Sequence, residues 1–122
     1  GANLLTGYRR AANILRAEAK KAPTEEASYS ENYDRKLFQQ AEEFALDDAL
    51  LRTKVLTERA IAEEAYIPAM EHLSYLRAPV DAFFDKVTVN ADDPALRLNR
   101  LRLLNALRDA VHRVADFSKI SG

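Results

Sequence analysis

Four side chains near the start of the chain, Arg9, Asn13, Arg16 and Lys20, recur at i, i+4, i+7 and i+11. At 100° per residue that spacing gathers them on one strip of a helix. Cations in such a row neutralise successive phosphates and release counterions, which gives salt-dependent binding that is blind to base sequence. An ordinary solvated helix face has the same pattern, so the strip alone does not establish a ligand.

A second group lies in the last third, where Arg97, Asn99 and Arg100 fall within four residues. Arginine stacks on a base or binds it bidentately, and asparagine offers one donor and one acceptor edge, the groups that read unpaired bases in RNA loops. With Leu96 set at 0° on a helical wheel, Leu103, Leu104, Leu107, Val111 and Val114 cluster near 30°, and Arg100 lies among them. Arg97 and Asn99 flank that stripe, which leaves them freer to meet an external ligand. Arg100 is aimed at the core, where a guanidinium must be paired. Asp81 and Asp85 are its expected partners, forming a structural ion pair. Lys86 is placed to touch phosphate or to complement a helix C-terminus. Arg102, Arg108 and Arg113 fall on mixed sides of the same helix, with at least one expected at the surface.

Enzymatic constellations are sparse. The Glu-x-x-His repeats of a di-metal bundle are missing, and the two histidines, His72 and His112, are expected to face solvent. Asp81 and Asp85, one turn apart, fit ion pairing with Arg77 or Arg100 better than acid/base work. There is no Cys, which excludes thiolate chemistry and fits a reducing compartment such as the cytoplasm. No glycine-rich phosphate loop and no supported Ser/His/Asp triad is present. No catalytic, cofactor or metal residues are assigned.

The elements that must carry these groups are helices. With 3 Gly and 4 Pro in 122 residues, the chain lacks the turn residues of a multi-stranded sheet and is rich in helix formers. Its length suits one domain. The formal net charge of −1 conceals a partition of about +4 over residues 1–22, −8 over 23–85 and +3 over 86–122. No run approaches the roughly 20 apolar residues of a membrane span.

A first helix is expected from Leu4 to Lys21, burying Leu4, Tyr8, Ala11, Leu15 and Ala19 and ending before Pro23. Residues 23–32 read as a solvated loop, with Asn32 capping a long helix from Tyr33 to about Glu64 that buries Leu37, Ala41, Phe44, Leu51, Val55 and Ala62. Pro68 and Pro79 fit the openings of two shorter helices, the second burying Val80, Phe83, Phe84 and Val87. Asp93 before Pro94 signals the start of a last helix to about Phe117. The expected architecture is all-α, a single-domain bundle of about five helices.

Three segments resemble a known family: Tyr8–Leu15 (YRRAANIL), Leu76–Val89 (LRAPVDAFFDKVTV) and Asp93–Ile120 (DPALRLNRLRLLNALRDAVHRVADFSKI). In order and spacing they are similar to the end of the bacterial glycyl-tRNA synthetase β subunit, its DALR-type anticodon-binding domain, a helical bundle also found in arginyl- and cysteinyl-tRNA synthetases. The resemblance implies that residues 1–122 are one anticodon-binding domain, a C-terminal fragment of a longer β chain, and that it holds tRNA without catalysing by itself. It further implies a tRNA(Gly) anticodon stem-loop as ligand, with the rest of the β subunit and a separate α subunit, as α2β2, as protein partners. The complete cytoplasmic enzyme would use ATP and Mg for glycylation. Under this reading Arg9, Asn13, Arg16, Lys20, Lys86, Arg97 and Asn99 are the candidate RNA contacts. A docking module within the synthetase, without anticodon contact, is the alternative.

Overall fold

The computed structural model describes residues 4–121, with side chains described from residue 4 to 117. Five α-helices account for most of it: α1 (Leu4–Lys21), α2 (Ala41–Ala62), α3 (Tyr66–Ser74), α4 (Arg77–Lys86) and α5 (Pro94–Ser121). Two 3₁₀ segments, Pro23–Ser30 and Arg35–Leu37, join α1 to α2. Among the described residues there is no strand, so the all-α expectation holds.

Helix α5 is the axis. Leu101, Leu103, Leu104, Leu107 and Val114 are fully buried, and α1, α2, α3 and both 3₁₀ segments pack on it. Helices α1 and α5 run antiparallel, since Tyr8 meets His112 at one end and Glu18 meets Arg97 at the other. Helix α1 contributes Ala11 and Leu15, α3 contributes Ala69 and Leu73, and α4 contributes Val80 and Phe83. Gly7 lets α1 approach α4, because a Cβ there would lie 2.6 Å from Val80 Cγ1. Asp93 starts α5 by accepting the Ala95 amide at 2.9 Å, with Pro94 in the position that needs no N–H donor.

Helix α2 departs from expectation in start and in facing. It begins at Ala41 rather than Tyr33, and Asn32 does not cap it. Glu43 closes its N-terminus instead, its Oε1 accepting the amides of Gln39 and Gln40 at 2.9 and 3.1 Å. The buried face carries Glu43, Leu46, Asp47, Leu50, Thr53, Thr57 and Ala60, while Leu51 and Val55 are 52% and 58% exposed. The expected apolar stripe therefore points largely outward, because the polar face is satisfied by partners remote in sequence. Tyr33 and Arg35 both donate to Asp47, and Thr57 Oγ1 donates to the Thr53 carbonyl at 2.7 Å. Burial and the Asp47 carboxylate push the Tyr33 hydroxyl well above the ordinary phenol value.

The α2–α3 turn satisfies the last carbonyls of α2 without glycine. Ala65 N–H donates to the Ala60 carbonyl at 2.8 Å and Glu64 N–H to Ile61 at 3.0 Å, with Glu64 in the left-handed region at φ 56°. This is the paired-bond arrangement in which glycine usually occupies the left-handed position. Within residues 23–32, expected as a solvated loop, Pro23–Ser30 instead form a 3₁₀ coil that buries Tyr29.

Candidate nucleic-acid interface

The α1 strip is on the surface. Arg9, Asn13, Arg16 and Lys20 are all exposed, on the side of the helix away from Ala11 and Leu15. Arg16 donates to Asn13 Oδ1 at 3.1 Å, and Arg9 and Lys20 make no hydrogen bond or ion pair among the described residues. The row presents three guanidinium or ammonium charges with no neutralising carboxylate among the described residues, which is the chemistry that grips a phosphate backbone.

The α5 group is rearranged. Arg97 is only 16% exposed and clamps two acidic residues, with Nε 2.8 Å from Glu18 Oε1 and Nη1 2.9 Å from Glu25 Oε1. Burial pushes the Glu18 carboxyl up, but hydrogen bonds and charge from Lys21 and Arg97 more than reverse this and hold it below its ordinary value of 4.5. Asn99 is 1% exposed, accepting the Asp34 amide at 2.6 Å and donating to the Asp34 carbonyl at 3.0 Å. Both side chains are thus committed within the fold, fastening the 3₁₀ coil to α5, rather than free for RNA. The wheel placed them beside one stripe, but α5 is covered on several sides and its flanks are interior.

Arg100 is buried and ion-paired, but its partner is Glu43. Arg100 Nη2 and Nε lie 3.2 and 3.3 Å from the two Glu43 oxygens, and Nη1 donates to the Thr88 carbonyl at 2.7 Å. Asp81 and Asp85 are not involved. They are 56% and 73% exposed, 3.8 Å from Arg77 and 3.6 Å from Lys86 respectively. The reason is positional: α4 shows the core Val80 and Phe83, which turns Asp81 and Asp85 to water. Lys86 is exposed at the C-terminus of α4, and its carbonyl accepts Gln40 Nε2 at 2.8 Å.

One concavity adjoins α5 and a smaller one lies beside α1. The larger, about 500 Å³, opens between α2, α5 and residues 29–35, and Tyr33, Leu50, Lys54, Arg102, Asn105 and Arg113 are among its walls. The smaller, about 390 Å³, lies between α1 and residues 84–90, beside Arg10, whose guanidinium sits 4.6 Å above the Phe84 ring. The larger groove is not legible in the sequence, since its α5 wall lies more than forty residues from its walls in α2 and residues 29–35. The only sequence signal for it is the recurrence of Arg102, Asn105, Asp109 and Arg113 on one face of α5. Among the described residues no three His, Asp or Glu side chains converge as a metal site, and no helix is long and apolar enough to cross a membrane. His112 is exposed, its Nε2 2.5 Å from the Tyr8 hydroxyl, and His72 is half-buried.

The fold is an all-α bundle of five helices built around α5, with an exposed basic strip on α1. Residues 4–120 match the family described as the DALR anticodon binding domain, and the chain belongs to that family. Over its whole length it is 56% identical to the glycine–tRNA ligase beta subunit of Rhodospirillum centenum (strain ATCC 51521 / SW), 51% identical to that of Phenylobacterium zucineum (strain HLK1) and 43% identical to that of Ruegeria sp. (strain TM1040). It spans 17%, 18% and 17% of those proteins respectively, under a fifth of their length. No solved structure matches the chain.

Proposed function

We propose that this chain holds the anticodon arm of tRNA(Gly) on behalf of a longer glycine–tRNA ligase β subunit. The observation that carries the reading is the uncompensated strip Arg9, Arg16 and Lys20 on the surface of a chain in the anticodon-binding family. Asn13 extends the strip, and exposed Lys86 is a further phosphate contact in this proposal. The parent enzyme joins β to an α subunit, as α2β2, and uses ATP and Mg in parts outside this chain. The strip supplies affinity: each phosphate contact removed lowers the slope of log K against log salt by about 1. The test is a titration of the anticodon stem-loop at several salt concentrations. Arg9→Ala/Arg16→Ala/Lys20→Ala should lose binding and flatten that slope by about 2–3, and an unchanged slope would remove the strip from the interface.

One observation favours a second reading, docking within the synthetase without anticodon contact. Helix α2 turns Leu51 and Val55 to the surface, and Ile67 on α3 is 68% exposed. Outward apolar side chains of this size suit a protein neighbour. Wild-type stem-loop binding that matches a scrambled hairpin would favour this role over recognition.

A further inference from the structure

We propose that the groove between α2, α5 and residues 29–35 is a subsite for one unstacked nucleotide of single-stranded RNA, separate from the α1 strip. The inference rests on the tRNA-holding role and adds to it a place where a base, not only backbone charge, is engaged.

The walls supply the groups such a ligand needs. Arg102 and Arg113, about three turns apart on α5, bring guanidinium planes on which a base can stack, and Leu50 gives an apolar surface from the opposite helix. Arg102 is held in place, its Nε donating to the Ser28 carbonyl at 3.0 Å. Asp109 provides an exposed edge acceptor, and Asn105, 6% exposed, supports it from within the fold, its amide lying 3.4 Å from Asp109 Oδ2 while its Oδ1 accepts Arg108 Nη2 at 2.6 Å. Lys54 on α2 and Arg113 on α5 make no hydrogen bond or ion pair among the described residues, so both walls carry cations available to phosphate.

Size and charge narrow the occupant. A volume of about 500 Å³ falls in the range of about 300–1,000 Å³ usual for small-ligand pockets, suited to a nucleotide and too small for a duplex. A bare anion would not be served by the Asp109 carboxylate in the lining, whereas the exocyclic amino group of a base finds an acceptor there. The other acid facing the groove from α2, Asp47, is already occupied by Tyr33 and Arg35, and Glu31 lies 3.9 Å from Arg102.

The test pairs protein variants with loop variants of the RNA. The anticodon stem-loop of tRNA(Gly) is titrated intact and with an abasic nucleotide at each loop position in turn, against the wild-type chain, Lys54→Ala/Arg113→Ala and Ala106→Leu. Ala106→Leu narrows the groove without changing charge, and the helical spectrum and melt of each variant are checked first. Wild type should lose about fivefold or more in affinity at one loop position, the scale of a single base stack. At that position both groove variants should bind intact and abasic RNA within twofold of each other. The strip variant Arg9→Ala/Arg16→Ala/Lys20→Ala should weaken every RNA and keep the abasic penalty. Persistence of the penalty in both groove variants would overturn the subsite, because the base would then be read elsewhere. Absence of any abasic penalty in wild type would overturn it too, while leaving the tRNA-holding role intact. Failure of every RNA to bind at low salt would refute that role and the subsite together.

Discussion

Replacing Arg100 by alanine should destabilise the domain strongly. The replacement removes the bidentate pair to Glu43 and the donor to the Thr88 carbonyl, at a side chain 7% exposed facing one 1% exposed. Glu43 keeps the amides of Gln39 and Gln40 on Oε1, but Oε2 loses its Arg100 partner and stays out of water. Breaking a buried pair from one side costs about 3–5 kcal/mol. For a domain of this size each kcal/mol moves the melting temperature by about 4 °C, so the expected loss is about 12–20 °C. Asp81→Ala and Asp85→Ala, at exposed positions, should each stay within about 0.5 kcal/mol of wild type. The assay is thermal unfolding followed by far-UV circular dichroism, with Glu43→Gln/Arg100→Met as control. The double variant should recover part of the loss, because it leaves no unpaired buried charge and keeps an acceptor for the Gln39 and Gln40 amides. A melt of Arg100→Ala within 2 °C of wild type, or an effect of Asp81→Ala as large, would refute the Glu43 assignment.

Arg97→Ala should lower stability by about 2–3 kcal/mol, from the lost clamp on Glu18 and Glu25, read as a fall in melting temperature. Because the Glu18 pKa is depressed in the folded state, the clamp contributes fully above the ordinary carboxyl value and is lost as pH falls through the folded one. The melting difference between wild type and Arg97→Ala should therefore be constant near neutral pH and narrow below about pH 4. Gly7→Ala should destabilise, since the overlap with Val80 costs about 1–3 kcal/mol against a helix-propensity gain of about 1 kcal/mol. In a Val80→Ala background, denaturant titration should show the same change stabilising by about that propensity gain. Glu64→Gly should raise the melting temperature, relieving about 1 kcal/mol of left-handed backbone cost; an unchanged or lower melt would count against the turn geometry.

What was legible in the chain depended on how local the cause was. Pro23, Pro79 and the Asp93–Pro94 pair mark boundaries through their own backbone chemistry, and α1 runs from Leu4 to Lys21 as its periodicity requires. Helix α2 was legible as a helix but not in its facing. Its inward acids, Glu43 and Asp47, are neutralised by Arg100, 57 residues away, and by Arg35 across the 3₁₀ turn. No wheel shows such partners, so the sequence pattern points to the apolar residues on the opposite side as the core face. The same limit governs Arg97 and Asn99. A wheel separates a stripe from its flanks, yet α5 has neighbours on more than one side, and the flanks hold the 23–37 coil. The surface strip was readable because exposure on α1 follows from one buried stripe. The α2–α5 groove was not, since it exists only after residues 29–35, α2 and α5 are brought together.

The central claim is that this fold recognises an anticodon arm, and the direct measurement is equilibrium binding of the tRNA(Gly) anticodon stem-loop against a hairpin with the same stem and a scrambled loop, each at two salt concentrations. The account predicts measurable binding that falls with salt, with the native loop bound more tightly at both concentrations. Equal binding of the two hairpins, or none to either at low salt, would contradict it.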